Sequence, residues 1–260
     1  MIMRKFKRAS SLLLLTFSLN SFNLLNSFIF TAIASSSPLL AQSSQAESYD
    51  DNDWVTYRTN LSNAVKAYYE EKDYAKAIRL FDRGLEHAPE WDKSRIGLAI
   101  YLRGQSKFET NDFKGAISDL EKAVTLYPLF QKLFNNNNTD ISNYYSTLAI
   151  AKFRLAPDEK ITKEIKDLFE KSIKIDKTNG RSYFLYALSV KSLSSSIKII
   201  NRYIKIRPND GKAYGLRGSF RMYKDGRSGA ACADWNKALS LGYTDAESNF
   251  REYKWCKKYR

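Results

Sequence analysis

The chain has 260 residues, with 42 Lys and Arg against 28 Asp and Glu, one His and two Cys, and a formal charge of +14. A single imidazole, His87, excludes multi-histidine metal sites and most His-based catalysis. Gly at 11 and Pro at 5 argue against a turn-rich β protein, and 43% hydrophobic residues with 14% aromatics exclude wholesale disorder.

In chain order, the first segment reads as an address. Arg4, Lys5, Lys7 and Arg8 precede a stretch from Ala9 to Ala46 without a charged residue, and its apolar part runs from Leu12 through Phe30. A basic start, an apolar middle and small residues after it form the secretory signal pattern. Ala32-Ile33-Ala34 meets the small-x-small cleavage rule, and Ala41 and Ala46 are later candidates. Residues 1–41 are therefore a signal peptide or an N-terminal membrane anchor, and 42–52 a flexible spacer. The anchor reading would bring residues 9–34 into contact with a bilayer, although Asn20, Asn23 and Asn26 are costly in lipid. Both readings place the body, residues 53–260, outside the cytosol. Cleavage after Ala41 leaves 38 basic residues against 28 acidic, or +10.

Two stretches then align, Leu61–Pro89 and Ile100–Pro128. Each has a helical apolar period, an Asp-aromatic pair (Asp73-Tyr74, Asp112-Phe113), an Ala-Ile pair and a second helix closed by Pro. Asp73 and Asp112 suit helix N-caps, and Pro89 and Pro128 are expected to end their units. Ala77, Phe81, Gly84 and Pro89, then Ala116, Leu120, Ala123 and Pro128, resemble the tetratricopeptide repeat (TPR). Arg103-Gly104 is similar to a pair common in bacterial members.

Three further units are degenerate. The third begins at Tyr145, Leu148, Ala149 and Phe153, the fourth at Tyr183, Tyr186 and Ala187, and the fifth at Tyr214, Arg217 and Gly218. Unit ends at 89, 128, 177, 208 and 243 give intervals of 39, 49, 31 and 35, and the longest contains Leu133–Asn138, where a bend or interruption is expected. The resemblance implies an all-α helix–turn–helix solenoid, a right-handed superhelix of about five repeats with a C-terminal capping helix.

Ala231-Cys232-Ala233-Asp234-Trp235 with Cys256 resembles the closing segment of exported bacterial TPR proteins. That resemblance implies a Cys232–Cys256 disulfide if the last helices pack antiparallel; the alternative is a buried Cys232 and a free Cys256 thiol. The implied localisation is the periplasm, a thylakoid lumen or the extracellular space, or the inner membrane if the N-terminal segment is an anchor.

No phosphate loop, dinucleotide fingerprint or Cys-x-x-Cys occurs, and Gly226-Arg227-Ser228-Gly229 falls short of a nucleophile elbow. No catalytic residue, cofactor, metal or small-molecule substrate is expected. Basic residues are interleaved with acids through every repeat, unlike the one-sided patch of a nucleic-acid binder. The implied function is a non-catalytic scaffold or assembly factor that binds a peptide or protein segment in a concave groove, or else a membrane-tethered organiser of an envelope or thylakoid complex.

By the resemblance, first helices line the groove: Ser62, Lys66 and Tyr69, then Tyr101, Gln105 and Phe108, then Ser146, Ile150 and Phe153. Phe184, Leu188 and Lys191 follow, then Lys212, Ser219 and Met222. Aromatics beside Lys suit a peptide of acidic character, with core packing of several aromatics as the alternative. Ser62, Tyr101 and Ser146 are neither Lys nor Asn, so carboxylate-tail binding of the chaperone type is not expected.

Overall fold

Helix starts follow the side-chain chemistry of the sequence. The computed structural model describes residues 50–130, 138–156, 158, 160–226, 228–246 and 256. The candidate signal or anchor, nearly all of the spacer and most of the capping segment lie outside these. Helix α1 spans Asp51–Lys66, with the Asp50 side chain accepting from the Asn52 amide. Helix α2, Tyr74–Glu86, starts where Asp73 accepts from Lys76 N, and α3, Lys93–Glu109, where Asp92 accepts from Arg95 N. Asp112 accepts from Gly115 N at 2.9 Å at the head of α4, Phe113–Phe130. Each such bond satisfies a backbone donor that the helix itself leaves open.

Helix α5 is Asn138–Leu155, α6 Lys163–Ile175, α7 Gly180–Ser189, α8 Leu193–Ile206, α9 Gly211–Asp225 and α10 Gly229–Ser240. Thr162, Asn179, Ser192 and Asp210 cap α6 to α9 through their side chains. The ten helices of the described residues form five successive helix–turn–helix pairs, and no strand occurs among those residues. The expected all-α fold is the observed one. One local expectation fails: Pro128 lies inside α4, which runs on to Phe130. A proline near a helix end forfeits one ladder bond, and the next two residues keep helical geometry.

The described residues divide into two compact units, one up to Asp140 and the other from Ile141 onward. In the N-terminal unit, Leu61, Val65, Ala77, Phe81, Leu98, Leu102, Ala116 and Leu120 are buried. Burial of each large apolar side chain contributes about 1.5–3 kcal/mol. Gly104 lets α3 lie against α4, since a Cβ there would come within 3.1 Å of both Asp119 and Leu120. Lys72 and Asn111 hold left-handed backbone (φ 56° and 65°) immediately before the capping Asp73 and Asp112.

In the C-terminal unit, Phe169 stacks on Tyr186 with ring centroids 5.1 Å apart. Trp235 of α10 is fully buried and its indole N–H donates to the Gly215 carbonyl at 3.2 Å. Gly218 makes that fit: a Cβ there would stand 2.6 Å from Trp235 Nε1. Cys232 is disulfide-bonded to Cys256, with Cα atoms 5.4 Å apart, and both are buried with Ala231, Ala238 and Ala246.

Candidate partner-binding site

In the N-terminal unit the wall positions expected from the repeat pattern fall on α1, the turn after it and α3. Lys66 is the exposed last residue of α1, and the chain continues as a π-helical turn over Ala67–Glu71 that carries Tyr69. Tyr69 is partly exposed and its ring meets Tyr68 edge-on at 4.7 Å. On α3, Tyr101 and Gln105 are buried and Phe108 is partly exposed, its ring 5.6 Å from Phe113. Gln105 Nε2 donates to the Tyr101 hydroxyl at 3.0 Å, and that hydroxyl reaches the Asp140 backbone carbonyl at 3.5 Å. The structure therefore brings Tyr101 and Gln105 together and adds the Asp140 backbone carbonyl, which the repeat pattern does not single out.

Electrostatics mark this corner. Burial pushes the Asp140 carboxyl up to about 7, because a carboxylate loses its hydration there. The Tyr69 phenol is held well above its ordinary range, by burial first and then by Tyr101 and Asp140. Gln105 Oε1 and Asp140 Oδ2 are buried without a hydrogen-bond partner.

The C-terminal unit treats its wall positions differently. Ile150 and Phe153 are buried, as is Phe184, which packs edge-on against Tyr203 of α8 at 5.2 Å. Lys191 is exposed but lies in the turn after α7, because that helix ends at Ser189 and Ser192 already caps α8. Of the further wall positions, Ser146 and Leu188 are buried, while Lys212, Ser219 and Met222 are intermediate.

This unit also buries a polar network. The hydroxyls of Ser142, Ser172 and Ser182 lie within 2.6 to 3.2 Å of one another. Asn179 Nδ2 donates to Ser142 Oγ at 2.8 Å and to Asn143 Oδ1 at 2.9 Å. An open cleft of about 620 Å³ is lined by Arg207, Asp210, Lys212, Gly242 and Tyr243, among others. Burial lowers the Lys212 ammonium and raises the Tyr243 phenol to about 12, with Asp245 adding to the latter. Asp210 is committed to the Tyr203 hydroxyl at 2.7 Å and to capping α9.

Sequence reasoning missed two ion-pair staples. Arg103 forks onto Asp119 at 2.8 and 2.6 Å and reaches Asp82 of α2 at 2.8 Å. Arg217 forks onto Asp234 at 2.9 and 2.6 Å and reaches Asn201 of α8 at 2.7 Å. Each Arg thus ties both helices of its own pair to the preceding one, and the planar guanidinium suits that bidentate geometry. The signal was present: Arg-Gly recurs in the first helix with Asp-Leu or Asp-Trp in the second. His87, the single imidazole, pairs its Nδ1 with Asp53 at 2.7 Å. Among the described residues no group of three or more His, Cys, Asp and Glu could hold a metal.

Comparison with known proteins agrees with the helix pairing. Residues 99–128, spanning most of α3 and α4, match the tetratricopeptide repeat family model. Over 143 residues the chain is 30% identical to the mitochondrial import receptor subunit TOM70 of two Saccharomyces cerevisiae strains. That stretch is 52% of this chain and 20% of the yeast protein, so the chain spans about a fifth of the relatives' length. The crystal structure of MamA protein superposes with a TM-score of 0.50 and 21% identity, covering 75% of this chain and 96% of that one. A repeat match on α3 and α4 and a structural neighbour of the same build make this an all-α fold of tetratricopeptide-repeat type.

Proposed function

We propose that the protein is a non-catalytic scaffold or assembly factor that binds a segment of another protein along the wall formed by α1 and α3. The observation that carries this reading is the exposed Lys66 at the end of α1, the partly exposed Tyr69 in the π-helical turn that continues it and the partly exposed Phe108 on α3. Aromatic side chains with a polar end supply contact area at low entropic cost, and they recur at protein interfaces. Similarity to part of an import receptor subunit supports recognition over catalysis as the class of function. A photo-crosslinking residue at Phe108 tests it, with one at Lys122, exposed on α4, as control. Capture of the same polypeptide from Phe108 alone, lost in a Tyr69→Ala variant, is the expected result. Equal capture from both positions removes the wall from consideration.

The protein is exported in this reading, through residues 1–41, and the body works in the periplasm, a thylakoid lumen or outside the cell. The Cys232–Cys256 pair supports an oxidising compartment, since such bonds persist there and not in the cytosol. The uncharged run from Ala9 to Ala46 also supports a tethered form that organises a membrane complex. Among the described residues no helix is long and apolar enough to cross a membrane. N-terminal sequencing of native protein separates the two: a start after Ala34, Ala41 or Ala46 identifies the cleaved form, and an intact Met1 in the membrane fraction the tethered one.

A further inference from the structure

The two units differ in charge. Residues 141–260 carry 25 Lys and Arg against 12 Asp and Glu, whereas residues 50–140 carry 13 against 15. Interleaving along the sequence hides this segregation, and in the folded C-terminal unit most acids are already engaged. Asp234 is buried under Arg217 and Arg221, Glu164 pairs with Lys152, and Asp225 pairs with Lys224. Asp210 accepts from the Tyr203 hydroxyl, and Asp176 from the amide and hydroxyl of Thr178.

The remaining cations collect on the outer side of α6 and α8. Lys163 and Lys174 lie about three turns apart on α6, opposite its buried Ile165, Phe169 and Ser172. Lys198 and Lys205 lie about two turns apart on α8, opposite its buried Ser196, Ile200 and Tyr203. Arg202 of α8 forks onto Glu170 of α6 at 2.7 and 2.8 Å, which joins the two outer sides and neutralises that acid. Lys177 and Arg207 stand exposed just beyond the ends of the same helices. Among the described residues none of these six cations forms an ion pair, and of the acids on α6 only Asp167 is left to oppose them. Ile206, 40% exposed, sits between Lys205 and Arg207.

We propose that this face docks the C-terminal unit onto an anionic lipid bilayer, with its Lys and Arg side chains among the headgroups and Ile206 at their boundary with the acyl chains. The occupant is argued from charge complementarity. Five of the six cations are Lys, compact charges on flexible stems that suit a density of negative charge more than one planar acceptor. The Arg202 fork is closed by Glu170, and the aromatic rings of α6 and α8, Phe169 and Tyr203, are buried, so bases find nothing to stack on. An exposed Ile among cations is unfavourable in water and favourable at a headgroup boundary, where apolar burial and electrostatic attraction add. The near-balanced N-terminal unit draws no such attraction. This docking goes beyond the polypeptide-binding wall and requires neither it nor a tether.

The test mixes the full chain with vesicles of phosphatidylcholine alone and of phosphatidylcholine with phosphatidylglycerol, and reads the bound fraction by flotation. Attachment to the mixed vesicles is expected to be at least about tenfold tighter than to the neutral ones, and to be lost when salt is raised to about 0.5 M. Lys174→Gln, Lys198→Gln and Lys205→Gln together should weaken it about a hundredfold, since each cation near such a surface contributes about fivefold. Lys93→Gln, Lys114→Gln and Lys122→Gln, equally exposed and with the same change in net charge, should weaken it less than about threefold. Circular dichroism melting checks that both variants fold, and the salt comparison on the unaltered chain decides if they do not. Equal attachment to the two vesicles, or attachment that survives high salt, would assign the contact to residues 9–34 and overturn the proposal. Equal weakening in the two variants overturns it as well. Salt-sensitive binding to polyglutamate or duplex DNA without binding to the mixed vesicles also overturns it, since the face would then serve a soluble polyanion.

Discussion

Both units bury polar side chains, yet only one of the two polar clusters is complete. In the C-terminal unit, Ser142, Ser172, Ser182, Asn143 and Asn179 exchange hydrogen bonds among themselves, and Asn179 also caps α7. In the N-terminal unit, Gln105 and Asp140 keep one oxygen each without a donor. A closed network rigidifies a helix junction and asks nothing of the surroundings, whereas an open one carries a desolvation cost. The difference teaches that burial of polar groups is not by itself a mark of function; the unfinished cluster is the informative one.

The largest effect expected from this contrast is a pH dependence confined to the N-terminal unit. The Asp140 carboxyl titrates near 7 in the folded chain against an ordinary 3.8, so the native state holds a proton that the unfolded chain has released. Its contribution is harmless at and below about pH 4, worsens as pH rises to about 7 and is then constant, costing up to ~4 kcal/mol in all. Urea unfolding across that range, followed by hydrogen exchange in α1 to α4, should show this slope. Asp140→Asn should abolish it, and a slope unchanged in the variant would assign the effect elsewhere.

Next in size is the covalent closure of the C-terminal unit. Replacing Cys232 and Cys256 together with Ser should cost roughly 3 kcal/mol, since the bond joins residues 24 apart in sequence. Exchange protection should fall in α9 and α10, with α1 to α4 unchanged. Loss of protection throughout would mean that the two units unfold as one.

The contrast itself is sharpened by a matched pair of substitutions. Asn179→Leu strands the Asn143 Oδ1, takes one donor from Ser142 and removes a cap, so ~2 kcal/mol of destabilisation is expected. Gln105→Leu removes an acceptor that is already stranded together with the bond from its Nε2 to the Tyr101 hydroxyl, so a smaller loss of about 1 kcal/mol is expected. Equal losses in denaturant midpoints would show that the N-terminal cluster is as complete as its counterpart. The smallest effect expected is a gain: Lys72→Gly should stabilise by about 0.5–1 kcal/mol, because Lys72 sits at φ 56°. Asn111, at φ 65° in the equivalent turn, should gain less from the same change, since Asn tolerates this region.

Much of the fold was legible because it is local. Asp73 and Asp112 cap the helices that their Asp-aromatic pairs announce, and Ala77, Phe81, Ala116 and Leu120 fall in the core as the repeat pattern implies. Lys191 was placed on a first helix because the family period ignores the early stop of α7 at Ser189. Phe184 looked like a wall residue, but its ring is claimed by Tyr203. Asp140 escaped notice since it follows a polar low-complexity run, and nothing in that run reports the approach of Tyr69 and Tyr101.

Periodicity, capping residues and small residues at close approaches were enough to specify five helix pairs, because each acts within a few residues along the chain. Which polar side chains finish as closed networks and which remain open depends on atoms far apart in sequence. Ser142 meets Ser172 and Ser182, and Asp140 meets Tyr101, only after the helices have stacked. Desolvation and hydrogen-bond satisfaction are properties of that assembled neighbourhood, so tertiary structure alone separated the satisfied serines from the acceptors left without a donor.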